Sequence, residues 1–305
     1  MKAWLRAIGF YRGFLLVSLI PVSLGVAVAW SQGGAFHGPI FLLTLVSVWF
    51  FHAGANLLND YYDHVSGTDD NNLVKTPFTG GTRVIQDGLL PPEKIKTAGR
   101  AAFVIGGLLF VWLIHLTGWP MLALAIFGFL AGYLYTAKPV WLAYHGLGEL
   151  LIGLVFGPAL AATGAYTQSG HVSGTAWLIG VLAGLWGAAI ITINEVPDYV
   201  ADRDAGKRNL VVRGGQAFGL TLWAALLYLS VALLLAGIFL RVLRPQMVIA
   251  LLILPFVVRL GDAARRGVDK LEDMVALCGN TIKGEVVFWL LLLAGLISSR
   301  LLGTH

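Results

Sequence analysis

Apolar runs close to the about 20 residues that a bilayer core demands recur along this chain, separated by short polar breaks. Nine can be placed, at 13–30, 39–58, 99–117, 119–137, 146–166, 175–194, 217–240, 246–261 and 285–302. The pattern predicts an all-α, polytopic membrane protein of about nine transmembrane helices. Two breaks are longer than the rest, 59–98 and 195–216, and long connections in compact proteins are commonly functional. Each follows the second span of a four-span group and opens with an Asn followed by spaced acids. That order suggests one domain over 1–305 built from a pseudo-repeat, 13–137 and 146–261, with a final helix at 285–302. The two acidic loops would then face one another across a central cavity.

Composition strengthens the membrane assignment. Of 305 residues 57% are hydrophobic and 12% charged, with a mean hydropathy of +0.79, far from the roughly one quarter charged of soluble domains. If the N-terminus lies inside, all but three of the 21 Lys and Arg (Arg241, Arg244 and Arg300) fall on one face, with all 16 Asp and Glu. That asymmetry assigns the face as cytoplasmic. A net charge of +5 fits the same bias, and no separate basic domain points to nucleic acid. The run ending at Ala27-Val28-Ala29, preceded by Lys2, Arg6 and Arg12, resembles a signal peptide. It is longer than a typical signal core and many spans follow, so it reads as an uncleaved first span. The lone Cys278 excludes an internal disulfide framework and a cysteine-rich metal site.

The candidate chemistry lies at the ends of the second and sixth runs. Asn59-Asp60-Tyr61-Tyr62-Asp63 closes one, and Asn194-Glu195-Val196-Pro197-Asp198 onward to Asp202 closes the other. If the backbone is helical there, Asn59 and Asp63 share a face, as do Asp198 and Asp202. Each motif then offers two oxygen ligands in one direction. Such sites suit a hard cation such as Mg²⁺, which keeps several waters and takes a substrate phosphate to complete its shell.

The strings NLLNDYYDHVSGTD (Asn56 to Asp69) and NEVPDYVADRDAGKRNLVVRGG (Asn194 to Gly215) resemble the intramembrane aromatic prenyltransferases of the UbiA superfamily. Gly67-x-Asp69, Asp202-Arg203 followed by Gly206-Lys207, and Tyr135-Thr136 followed by Leu147-Gly148-Glu149 look most like its menaquinone branch, the 1,4-dihydroxy-2-naphthoate prenyltransferases. The resemblance implies nine helices around a cavity open to the bilayer, capped by two cytoplasmic acidic-motif loops. It implies two Mg²⁺ ions gripping an allylic polyprenyl diphosphate, one on Asn59 and Asp63, the other on Asp198 and Asp202. Asp63, Asp198 and Asp202 would be catalytic. Asp60, Asp69, Asn194, Tyr135 and Glu149 would be supporting or loop-ordering groups, Glu149 with a possible share in acceptor binding or proton handling. Arg83 and Lys207, then Lys75, Arg203 and Arg208, would contact diphosphate oxygens or anionic lipid headgroups. The implied setting is a prokaryotic inner membrane with the active site on the cytoplasmic side.

The chemistry also follows from charge alone. Clustered carboxylates repel one another and a diphosphate, so their coexistence requires divalent cations between them. Metal charge improves the leaving group and favours ionisation at the allylic carbon. The resulting cation needs a dry cavity, which Tyr61, Tyr62, Tyr133, Tyr135, Tyr144, Trp141 and Tyr199 are placed to line or to belt. His52 reads as a packed histidine, and His64 as loop. The resemblance makes 1,4-dihydroxy-2-naphthoate the first choice of acceptor; Glu195 and Pro197 replace the Asn and Arg usual in the menaquinone branch, which keeps 4-hydroxybenzoate, homogentisate and an isoprenoid glycerol phosphate as alternatives. The rival class is a cation-coupled transporter, whose acids would lie near mid-membrane at broken helices.

Overall fold

The computed structural model describes residues 1–9, 14–72, 76–78, 81–266, 268 and 270–303, and among these it contains helices and turns but no strand. In chain order the helices are α1 Lys2–Ala7, α2 Phe14–Ser31, α3 Gly38–Ser66, α4 Thr68–Asn71, α5 Pro92–Thr117, α6 Met121–Leu134 and α7 Gly148–Ser169. They continue with α8 Gly174–Asp204, α9 Leu210–Gly214, α10 Gln216–Phe239, α11 Pro245–Arg265 and α12 Leu271–Leu301. A π turn at Val155–Ala159, around Pro158, interrupts α7, and α11 begins as a 3-10 segment over Pro245–Ile253.

Of the nine predicted spans, seven among the described residues are long and apolar enough to cross a membrane: α3, α5, α7, α8, α10, α11 and α12. The runs at 13–30 and 119–137 form shorter apolar helices, Val17–Ser31 and Met121–Leu134. Helix ends also differ from the apolar run ends. α3 and α8 carry on past 58 and 194 through both acidic motifs, and α12 begins well before 285. Hydropathy marks where side chains turn polar, whereas a helix stops where its backbone hydrogen bonds stop. For α3 that is Gly67, whose φ of 81° makes a left-handed cap. The acids are therefore mounted on rigid helix ends rather than in loops.

α8 is the central helix, with 72% of its apolar window buried. It packs against α7, α10 and α12, and Trp186, Trp223, Phe288 and Trp289 fill the space around it. α3 runs along α5, and α2 along the second half of α7. Lipid tails offer no hydrophobic drive between helices, so the fit comes from close contact at small residues. At the α7–α8 crossing a Cβ on Gly157 would strike the backbone of Gly180 and Gly184. The outer surface exposes Leu42, Leu108, Val111, Leu150, Leu252 and Leu290, an apolar belt that suits lipid rather than water.

Candidate active site

The last turns of α3 and α8 bring the two motifs to one cavity, which Asn59, Asp63, Asp198 and Asp202 all line. Asn59 Nδ2 donates to Asp63 Oδ2 at 3.0 Å, the one-face arrangement that helical spacing of four gives. Asp63 and Asp202, from different helices, lie within range of each other's charge. Each acid is held by an outside donor. The Tyr144 hydroxyl donates to Asp63 Oδ1 at 2.9 Å, Asn72 Nδ2 to Asp198 Oδ1 at 2.7 Å, and Asn209 Nδ2 to Asp202 Oδ2 at 2.7 Å. Burial and Asp63 push the Tyr144 phenol upward, so it remains a donor.

Described residues after α3 also border the mouth. Thr68, Asp69, Asn72, Phe78 and Gly81 line it. Asp60 does not line the cavity; it accepts from the Thr82 backbone N–H at 3.1 Å and from the Thr82 hydroxyl, fixing Thr82 against α3. Gly81 has φ 61°, and a Cβ there would run into the Asp69 carboxylate. The glycine lets Asp60 and Asp69 approach one another. Below the mouth the cavity, about 310 Å³, is walled by Val48, Phe51, Phe110, Phe156, Leu160 and other apolar side chains.

Of the basic residues expected near a diphosphate, Lys207 lines the cavity, with Nζ 3.4 Å from Asp202 Oδ1. Burial opposes its charge, but Asp202 and Asp63 outweigh burial and hold its proton well above the ordinary lysine range. Arg203 is exposed and paired to Asp204 at 3.1 Å; Arg208 is exposed too. Arg83 lies near Asp87, 4.0 Å away, and is not among the cavity's lining residues. Lys75 lies outside the described residues. Asn194 and Tyr135 line the cavity, whereas Glu149 sits behind the wall and accepts the Leu210 N–H at 2.6 Å. Of the aromatic residues expected there, Tyr135 faces the cavity, joined by Phe51, Phe78, Phe110 and Phe156. His52 is packed as expected, with Nδ1 3.0 Å from Ser18 Oγ and its ring 5.0 Å from Phe156, and its side also borders the cavity. His64 pairs with Asp70 at 2.8 Å.

Asn72 and Asn209 escaped the sequence reading. Asn209 carries a local signal, since an Asn before Leu210-Val211-Val212 reads as an N-cap, and its Oδ1 accepts the Val212 N–H at 2.7 Å. Asn72 carries none, because its partner lies 126 residues away.

The donor set fits a hard cation. Among the described residues no three His, Cys, Asp or Glu side chains form a ready-made metal cage. Mg²⁺ does not need one, because waters and substrate phosphate complete its shell. The charge balance is also short of cations. Burial, then Asp63 and Asp60, push the Asp69 carboxyl up to about 8, although Lys207 acts in the opposite sense. A divalent ion at Asp63, Asp198 and Asp202 would relieve that repulsion.

A model of the UbiA prenyltransferase family matches residues 18–270. The 2-carboxy-1,4-naphthoquinone phytyltransferase of Synechocystis sp. is 32% identical over 235 residues, 76% of this chain and 73% of that one. The 1,4-dihydroxy-2-naphthoate octaprenyltransferase of Mycobacterium tuberculosis is 27% identical over 282 residues, 92% of each chain. UbiA prenyltransferase domain-containing protein 1 of Xenopus tropicalis is 32% identical over 215 residues, which is 70% of this chain and 60% of the frog protein's length. A UbiA homolog from Archaeoglobus fulgidus, solved with DMAPP and Mg²⁺, shares the fold at a TM-score of 0.66 and 19% identity over 97% of this chain and 98% of that one.

Proposed function

Because the chain belongs to the UbiA prenyltransferase family, we propose that it transfers a polyprenyl group from an allylic diphosphate to an aromatic acceptor, 1,4-dihydroxy-2-naphthoate in the first instance. One observation carries the reading: two acid-bearing helix ends, far apart in sequence, meet at the polar mouth of a cavity whose depth is apolar. Relatives named for naphthoate prenylation support the acceptor. A cation-coupled transporter is less well supported, since α3 and α8 run unbroken through their motifs to the cavity mouth.

Asn59 with Asp63, and Asp198 with Asp202, would hold two Mg²⁺ ions, one for each pair of oxygen ligands. Bound there, Mg²⁺ supplies positive charge that makes the diphosphate a better leaving group. Lys207, which lines the same cavity just after α8, would contact the diphosphate oxygens. The apolar wall keeps water from the allylic cation, and the ring faces of Phe51, Phe156 and Tyr135 stabilise it by about 0.5–2 kcal/mol each. The ring carbon of the acceptor attacks, the C–O electron pair leaves with the diphosphate, and for the naphthoate the displaced group is carbon dioxide. The charge asymmetry supports a cytoplasmic mouth in a prokaryotic inner membrane, and the matched placement of α3 and α8 supports the duplicated architecture.

Purified protein given geranylgeranyl diphosphate and a panel of aromatic acids tests the proposal. Mg²⁺-dependent prenylation of 1,4-dihydroxy-2-naphthoate is expected. Transfer to 4-hydroxybenzoate, homogentisate or an isoprenoid glycerol phosphate but not the naphthoate would reject the acceptor and keep the class; transfer to none of these would reject the class.

A further inference from the structure

One helical turn below the acids, the cavity wall carries a second polar band. Asn56 lies three residues before Asn59, and Glu195 three before Asp198. At 1.5 Å per residue both sit about 4.5 Å deeper along their helices. Asn56, Asn194 and Glu195 all line the cavity, among apolar neighbours. Asn194 is 8% exposed and Glu195 5%. Asn56 Nδ2, Asn194 Oδ1 and Glu195 Oε2 are buried atoms with no hydrogen-bond partner. Three such atoms at one depth are costly unless a ligand meets them.

Behind Glu195 stands Glu149, 2% exposed, whose carboxyl lies within hydrogen-bonding reach of the Glu195 carboxyl. Glu149 Oε1 is taken by the Leu210 N–H at 2.6 Å, while its Oε2 has no donor. Glu149 therefore backs the Glu195 carboxyl from behind the cavity wall. Glu195 then brings a carboxyl whose Oε2 lacks a donor to the cavity that Asn56, with its unpartnered Nδ2, also lines.

We propose that this band is the docking site for a hydroxylated aromatic acceptor, whose O–H donates to Glu195 while an oxygen on the ring accepts from Asn56 Nδ2. Glu149 is a positioning residue acting through Glu195. The inference rests on the prenyltransferase reading and adds to it the group that recognises the acceptor. The depth suits that role: a diphosphate held at Asn59, Asp63, Asp198 and Asp202 directs its allylic carbon down the cavity, toward a ring held one turn below. A hydroxyl that donates to a carboxylate raises the electron density of its ring, which favours attack through carbon. The hydroxyl keeps its proton, so no further reactant is needed.

The test uses the full chain in detergent, with 1,4-dihydroxy-2-naphthoate and geranylgeranyl diphosphate as substrates. Glu195→Leu is expected to raise the acceptor KM by about 10- to 100-fold, the loss typical of a charged hydrogen bond at a site built for a hydroxyl. The KM for the diphosphate and the Mg²⁺-dependent thermal protection by a non-hydrolysable thiolodiphosphate analogue should stay as in the unaltered protein, which also shows that the variant folds. Glu195→Gln should recover part of the loss. Glu149→Gln should shift the acceptor KM in the same direction and add little on top of Glu195→Leu, as expected of coupled neighbours. An unchanged acceptor KM in Glu195→Leu, or a diphosphate KM that rises by the same factor, would overturn this inference and leave prenyl transfer standing. Failure of the unaltered protein to transfer any prenyl group would overturn both.

Discussion

Asp63 is 7% exposed and Asp202 3%, at a depth where an ionised carboxylate is costly unless it is held. Their outside donors are what make the acids a site, and removing one tests that view. Tyr144→Phe deletes the donor to Asp63 and the contacts at 2.7 and 2.8 Å to Ser66 and Thr68. Loss of such a supporting hydrogen bond should weaken the Mg²⁺ requirement's midpoint by about 10- to 100-fold, read from turnover against Mg²⁺ concentration. Asp69 makes a second test. Its carboxyl, ordinarily near 3.8, is pushed up to about 8 by burial first and by Asp63 and Asp60 next. A raised carboxyl contributes stability that is whole below the unfolded value and is lost as pH rises through the folded one. In chelator, the thermal midpoint should fall between about pH 5 and pH 9, and Mg²⁺ with a diphosphate should restore it; a flat profile would contradict the assignment. The four oxygen-bearing side chains were legible in the sequence because each pair sits four apart on a helix. Tyr144 and Asn72 were not legible as partners, because folding brings them from 81 and 126 residues away.

At the level of helices, the sequence located the apolar runs but not where the helices end. α3 and α8 pass through their acidic motifs because the acids find donors there and the backbone continues to Gly67 and to Ala205. The short α2 and α6 could not be told from full spans by hydropathy, which counts apolar residues and not helical turns. Gly157 crosses α8 so closely that a Cβ would meet Gly184 N at 2.6 Å. Gly157→Val should therefore cost about 1–3 kcal/mol by overpacking, seen as a lower thermal midpoint in detergent. Because Gly157 also lies next to the cavity-wall residue Phe156, activity should fall with stability; an unchanged midpoint would contradict a tight α7–α8 crossing.

For the molecule as a whole, charge asymmetry predicts which end of the cavity faces the cytosol, and labelling can read it directly. Leu89, between α4 and α5, is 48% exposed, and Phe36, between α2 and α3, is 55% exposed. The native Cys278 is buried at 1% and contributes little background. In intact cells a membrane-impermeant thiol reagent should modify Phe36→Cys and spare Leu89→Cys until the cells are opened; the reverse order would invert the topology. The family was legible because two motifs, each weak alone, recur at matched helix ends. The polar band below them was not, since nothing in the residue order shows that Asn56 and Glu195 line one cavity.

The most direct measurement is the anomalous scattering of Mn²⁺ in crystals of the protein grown with a non-hydrolysable prenyl diphosphate analogue. Metal peaks between Asn59 and Asp63 on one side and Asp198 and Asp202 on the other, bridged by the diphosphate, are the predicted result. Diphosphate bound with Mn²⁺ at other residues, or held by Lys207 and arginines with no metal peak at these acids, would contradict it.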